Sequence, residues 1–328
     1  MPTTRPSPVT KRLLTAIFAC LACAGAAAQP AFPDHPLRLV IGFPPGTATD
    51  IASRIIARKM SELLGQQMVV DNRPGASTGI AALAVAGAAP DGYTLFMAGN
   101  SNAVAPSLQT SAQVDFFRDF APVGLVASVP SILVVSPALG VNDVPELARR
   151  VKNNPGQIFF ASSGNGTMSH LAGELFAYSL GSRMTHVPYK GSAQAVTDLL
   201  AGTVPVMFAP ASTVLPYIKE GRLKALATTG AERSKIAPDL PTIAEKGIPD
   251  YDTRIWFGVV APARTPDAVI RKLADNLAIT LDSLDVKEQL ALQGMEPFRG
   301  DAAKFSAHMQ REMTRWSAVI KSRGITAD

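Results

Sequence analysis

Residues 37–64 read LRLVIGFPPGTATDIASRIIARKMSELL, and the fold follows from the change of period inside this stretch. Residues 37–43 are an apolar, β-type run that stops at Pro44-Pro45-Gly46. From Asp50 onward the apolar side chains recur at 51, 55, 56, 60, 63 and 64, the spacing of one helical face. Thr47 and Thr49 stand where a helix cap is expected, and Gly65 supplies the residue that ends helices in the left-handed conformation. The pattern then repeats: a strand at 67–70, a turn at Arg73-Pro74-Gly75, an Ala-rich helix from Ser77 or Thr78 to about 88, a Pro90-Asp91-Gly92 turn and a strand at 93–98. Strands alternating with helices at this spacing predict an α/β fold with mainly parallel sheets flanked by helices.

A second block repeats the alternation. Strands are expected at 131–135, 157–161, 185–189, 204–208 and 223–228, with helices at 144–153, 167–180, 192–201 and 214–219. Residues 256–261 (WFGVVA) then return to a strand, followed by amphipathic helices at 266–283 and 302–322. No low-complexity linker separates the blocks, so one domain interrupts the other. The expected division is 29–128 plus 254–328 for the first domain and 129–253 for the second, with the chain crossing near 125–135 and 250–260. A length of 328 residues suits two domains.

Composition removes several classes of function. Apolar residues make up 47% and charged residues 17%, too apolar a balance for a disordered chain. Aromatics at 6% are too sparse for a stacking platform that holds single-stranded nucleic acid. Cys20 and Cys23 are the only cysteines, so a disulfide scaffold or Cys-ligated zinc is excluded beyond them. Arg5, Lys11 and Arg12, the apolar run 13–23 and the small residues Ala26 and Ala28 form the three parts of a secretory signal peptide over 1–28, cleaved before Gln29. That run is shorter than the roughly 20 residues that span a bilayer. Acylation at Cys23 is disfavoured because the leucine stands one place too close to it. Three of the 31 basic residues leave with the signal, so 28 remain against 26 acidic, and no nucleic-acid footprint survives.

Two loops carry candidate chemistry. Phe43, Pro44, Gly46, Thr47, Thr49 and Asp50 place backbone N–H groups and hydroxyls at a helix N-terminus, where the dipole favours an anion; an ordinary capped turn is the alternative. Ser162, Ser163, Gly164, Gly166 and Thr167 repeat that arrangement. The second loop is no dinucleotide fingerprint, because Ser169 occupies the sixth position, and no Gly-Lys-Ser/Thr follows. Neither loop holds Arg or Lys, which points to a small carboxylate and away from polyphosphate cofactors. Gly75-Ala76-Ser77-Thr78-Gly79 matches the nucleophile elbow G-x-S-x-G, yet Asn72-Arg73-Pro74 separate it from its strand. The histidines form no metal motif. His170, three residues after Thr167, either edges the site or packs in the core, and His186 reads as a packed strand residue.

The runs FPDHPLRLVIGFPPGTATDIASRIIARKM (32–60) and VVDNRPGASTGIAALAVAGAAPDGYTLFMAGNS (69–101) resemble the tripartite tricarboxylate transporter substrate-binding proteins, the Bug receptors. So do ASSGNGTMSHLAGELF (161–176), HVPYKGSAQAVTDLLAG (186–202), the run 221–251, WFGVVAPARTP (256–266) and RWSAVIKSRGI (315–325), in order and spacing. The resemblance implies a periplasmic, type II-like two-domain receptor. Such a receptor closes its interdomain cleft on a small organic carboxylate and delivers it to membrane permease subunits. It implies ligand loops at 43–50, around Ser101 and at 162–167, with no cofactor, no metal and no nucleic acid, and the receptor is expected to act as a monomer. The family loop usually reads Pro-Gly-Gly, where this chain has Pro45-Gly46-Thr47, so the side chain at 47 either narrows the pocket or adds a hydroxyl. Two other readings remain: a ligand-sensing receptor for a membrane sensor kinase, and a serine hydrolase using Ser77.

Overall fold

The stretch 37–64 folds as its periods demand: strand β1 is Leu37–Ile41 and helix α1 is Ala48–Leu64 in a computed structural model that describes residues 32–108, 114–189 and 191–325. The signal-peptide reading lies outside the described residues. Thr47 caps α1 by accepting from the Asp50 N–H at 3.4 Å, and Gly65 closes it at φ 70°. The α1 face carrying Ala52, Ile56 and Met60 is buried.

Chain order continues with β2 (Met68–Asn72), a 3-10 turn at Ala76–Thr78, α2 (Gly79–Ala86), β3 (Thr94–Gly99), α3 (Asn100–Leu108), α4 (Phe116–Asp119) and β4 (Phe120–Val129). The second block is β5 (Ser131–Val135), α5 (Val144–Asn153), β6 (Phe159–Ser162), α6 (Met168–Ser179), β7 (Thr185–Pro188), α7 (Ser192–Ala201), β8 (Val206–Pro210), α8 (Ala211–Lys219) and β9 (Lys224–Thr228). The chain ends with β10 (Ile255–Pro262), α9 (Asp267–Asp282), α10 (Leu284–Leu292), β11 (Glu296–Gly300) and α11 (Ala302–Arg323).

These strands form two sheets, ordered β11-β4-β10-β3-β1-β2 and β7-β6-β8-β5-β9. The sheets are mixed, where the sequence pattern predicted mainly parallel ones. Strands β2, β1 and β3 are parallel to one another, as are β7, β6 and β8, and these are the segments joined by crossover helices. Strands β4, β5, β9, β10 and β11 make only antiparallel pairs. They include the strands that enter and leave each sheet, and an antiparallel neighbour needs no crossover helix.

The chain passes from the first sheet to the second at Pro130, between β4 and β5, and returns through 229–254 into β10. The two crossings lie side by side: the Thr229 N–H donates to Ser131 O at 2.9 Å, and the Thr253 N–H donates to Thr229 O at 2.9 Å. Helix α11 makes a third link. Its early residues Phe305 and Met309 join the first-sheet core, while Trp316, Val319 and Ile320 join the second. At 22 residues it is about 33 Å long, enough to run from one sheet onto the other. Among the described residues no helix is long and apolar enough to cross a membrane.

Candidate functional site

The C-terminal ends of the parallel strands β1, β2 and β3 gather three segments on the first sheet. In the first, 43–50, the Thr47 hydroxyl donates to Pro44 O at 2.9 Å and accepts from the Asp50 N–H. The Thr47 side chain therefore stiffens its own turn. Asp50 is buried, and its carboxylate accepts from the Gly46 N–H (3.0 Å), Asn72 Nδ2 (2.9 Å) and Arg54 Nε (3.0 Å to each oxygen). Burial alone would raise its pKa; the hydrogen bonds from Arg54, Gly46 and Asn72 outweigh burial and hold it below the ordinary carboxylate value. Asn72 Nδ2 also donates to Phe43 O at 3.0 Å, so Asp50 and Asn72 together shape the loop from beneath. Thr49 is buried inside the first turn of α1 and is not its cap. The N–H groups of Ala48 and Thr49 have no carbonyl one turn below them, so the helix leaves them without an internal partner.

Residues 75–79, the G-x-S-x-G stretch, form the second segment. Ala76 and Thr78 adopt positive φ (47° and 77°), a strained choice for a β-branched residue such as Thr78. A Cβ on Gly42 would lie 2.5 Å from the Thr78 Cβ, so the end of β1 passes this segment only as glycine. The Thr78 hydroxyl accepts from Asn102 Nδ2 at 3.1 Å, and Asn102 Oδ1 accepts from the Gly99 N–H at 2.9 Å. The G-x-S-x-G stretch thus leads through a 3-10 turn into α2 and ties the β1 and β3 ends together. The signal for it was present in the sequence: a glycine turn before a helix, the same logic as the other two loops.

Ser101, half-buried in the first turn of α3, belongs to the third segment. Its neighbour Asn100 anchors that turn: Oδ1 accepts from the Trp256 N–H at 2.9 Å, while Nδ2 donates to Arg254 O and Glu312 Oε2, each at 3.3 Å. Glu312 is buried and also accepts from Trp256 Nε1 (3.3 Å) and Trp316 Nε1 (3.0 Å). Its burial pushes the carboxyl pKa up.

On the second sheet, the loop 162–167 follows β6 and opens α6. Gly164 (φ 131°) and Gly166 (φ 69°) hold backbone conformations open to glycine. Most of the loop's amides are spent within it. The Ser163 N–H donates to Ser169 Oγ (2.9 Å), the Gly164 N–H to Ser162 Oγ (3.1 Å), the Gly166 N–H to His170 Nδ1 (3.1 Å) and the Thr167 N–H to Gly164 O (3.3 Å). Thr167 is the residue before α6, but its hydroxyl donates to Gly164 O at 2.7 Å and makes no cap. What the loop offers a ligand is a cluster of hydroxyls, Ser163 and Thr167 within 3.0 and 3.1 Å of Ser169, above the first-turn N–H groups of α6. His170 and His186 lie behind the loop, both packed. A Cβ on Gly166 would come within 3.1 Å of Leu108 at the end of α3, so this loop meets the segment that begins at Asn100 and Ser101. Among the described residues no group of three or more His, Cys, Asp or Glu could hold a metal ion.

The sequence profile described as "Tripartite tricarboxylate transporter family receptor" matches residues 52–325. BugT of Bordetella pertussis is 37% identical over 318 residues, spanning 95% of this chain and 98% of that one. Two solved structures share the fold at high identity. Rpa4515 of R. palustris, with adipate, is 36% identical with a TM-score of 0.74, covering 90% of this chain and 99% of its own. MatC (Rpa3494) of Rhodopseudomonas palustris, with bound malate, is 30% identical with a TM-score of 0.71, covering 88% and 100%.

Proposed function

The chain belongs to the tripartite tricarboxylate transporter receptor family, and from that premise we propose that it captures a small dicarboxylate in the cleft between its two sheets and delivers it to membrane permease subunits. It is a receptor and not an enzyme. The observation that carries the ligand class is a pair of helix N-termini on different sheets, α1 and α6, whose loops 43–50 and 162–167 contain no Arg or Lys. Amides, hydroxyls and helix dipoles suffice for carboxylates, whereas polyphosphates call for cations. The adipate and malate held by Rpa4515 and MatC support the same class.

Binding proceeds by closure about the paired crossings at Pro130 and Thr229, because a ligand favours the state in which both loops contact it. The ligand-facing groups in this reading are the first-turn amides of α1, the hydroxyls of Ser163 and Thr167, and the turn at Ser101. Asp50, Thr78 and Asn102 shape the pocket from behind. Residues 29–128 with 254–328 make one lobe and 129–253 the other, with the last turns of α11 packed on the second lobe. Residues 1–28 direct export, and the receptor works as a monomer.

The test is calorimetric and thermal-shift titration of refolded, ligand-free protein with succinate, malate, glutarate, adipate, citrate and nicotinate. A ligand at 100 times its Kd adds about 2.7 kcal/mol of stability. Small-angle scattering on the best binder should show a smaller radius of gyration. Stabilisation by neutral sugars or amines, with none by carboxylates, refutes the proposal.

A further inference from the structure

Two of the four histidines stand face to face behind the second-sheet loop. The rings of His170 and His186 are 3.7 Å apart and 7° from parallel, and the Phe160 ring covers His186 at 5.1 Å. Gly173, one turn along α6 from His170, leaves room for Phe160: a Cβ there would lie 2.2 Å from that ring. Phe160 therefore packs directly against α6, with His186 stacked on it.

Each ring holds one end of the loop. His186 Nε2 lies 2.6 Å from Ser162 Oγ at its start. At its end the Gly166 N–H donates to His170 Nδ1 at 3.1 Å. A backbone N–H only donates, so Nδ1 of His170 carries no proton, and the neutral ring bears its proton on Nε2. That nitrogen is 3.9 Å from Glu174 Oε1, and Glu174 Oε2 is 3.7 Å from Arg323 Nε on α11. Between the two anchors, Gly164 turns at φ 131° and brings Ser163 and Thr167 onto Ser169 at the head of α6.

We infer that His170, stacked on His186, is a positioning residue for ligand binding: by holding the Gly166 N–H it presents the hydroxyl cluster of 162–167 to the carboxylate without touching the ligand itself. The inference rests on the receptor reading above and assigns His170 a place behind the pocket. The acceptor at Nδ1, more than the bulk of the ring, is the feature that matters.

Two variants separate acceptor from bulk. His170→Asn keeps an acceptor, Oδ1, near the position of Nδ1, whereas His170→Leu keeps apolar volume and loses the acceptor. With succinate, malate and adipate as probes, His170→Leu should weaken binding by about 2- to 10-fold, the range for one neutral hydrogen bond. It should also speed amide exchange at Gly166, while His170→Asn stays within about 2-fold of wild type in both. Faster exchange at Gly166 with unchanged affinity overturns the positioning role and leaves the receptor reading standing. Unchanged exchange at Gly166 overturns the clasp whatever the ligand. If wild type binds none of the probes the dicarboxylate reading fails, and with it the role of His170 in binding them. Should His170→Leu not fold, nitrogen-15 spectra of the wild-type imidazoles decide: a bare Nδ1 on His170 supports the clasp, and a protonated Nδ1 overturns it.

Discussion

His308 should make this receptor acid-sensitive well above the carboxylate range. Its side chain is 7% exposed on α11, edge-on to Trp256 (4.9 Å) and Phe298 (5.2 Å), and its Nε2 has no hydrogen-bond partner among the described residues. Burial pushes its pKa down from 6.5 to about 4; Asp252 opposes this, while Arg311, Arg254 and Arg315 add to it. Between these two values the unfolded chain binds a proton that the folded chain refuses. Stability therefore falls as pH drops from about 6.5 to about 4, and above 6.5 the group contributes no slope. Each pKa unit is about 1.4 kcal/mol, so the full loss is about 3 kcal/mol. His308→Phe keeps an aromatic ring against Trp256 and removes the proton site. Any packing change it brings is the same at every pH, so the informative quantity is the difference in slope between variant and wild type. Urea denaturation at intervals from pH 7.5 to 4.5 measures it. The wild type should lose about 2–3 kcal/mol more than His308→Phe across that span. Parallel stability curves for the two proteins refute a buried, neutral His308.

Three further outcomes are expected. Asp50→Asn removes the charged acceptor shared by Gly46, Asn72 and Arg54; because Arg54 is about half exposed, the ion pair contributes little, and the loss should be about 1–2 kcal/mol of stability by chemical denaturation together with weakened carboxylate binding by calorimetry. Unaltered binding would separate Asp50 from the site. Gly42→Ala drives a Cβ to 2.5 Å from Thr78 and should destabilise by about 1–3 kcal/mol in the same assay, whereas a neutral result would mean that the 75–79 segment moves freely. Glu296 in β11 accepts from Ser234 Oγ (2.7 Å) and the Lys235 N–H (2.6 Å) of the segment after β9, bridging the two sheets; Glu296→Ala should lower Tm and enlarge the radius of gyration of the ligand-free protein, and an unchanged radius would deny it a part in holding the lobes together.

By itself the sequence determined the local grammar of this protein. The strand-to-helix switch at 43–50, the cap at Thr47, the glycine stops and the alternation of elements all depend on side chains within a turn or two of one another, so their spacing announces them. The same locality made the loops 43–50 and 162–167 legible as candidate sites. Only the tertiary structure decided what those loops do with their donors. Asp50, whose place in the sequence is the first candidate loop, and His170, whose place suits either the edge of the site or the core, spend their acceptors on Gly46 and Gly166. Thr78 holds its positive φ where Gly42 passes close by, and α11 joins both cores although its periodicity alone suits either. Asn100 meets Glu312 across 212 residues of chain. Such pairings have no period in the sequence; they arise when buried polar groups, cut off from water, must find partners among whatever the packed sheets bring near.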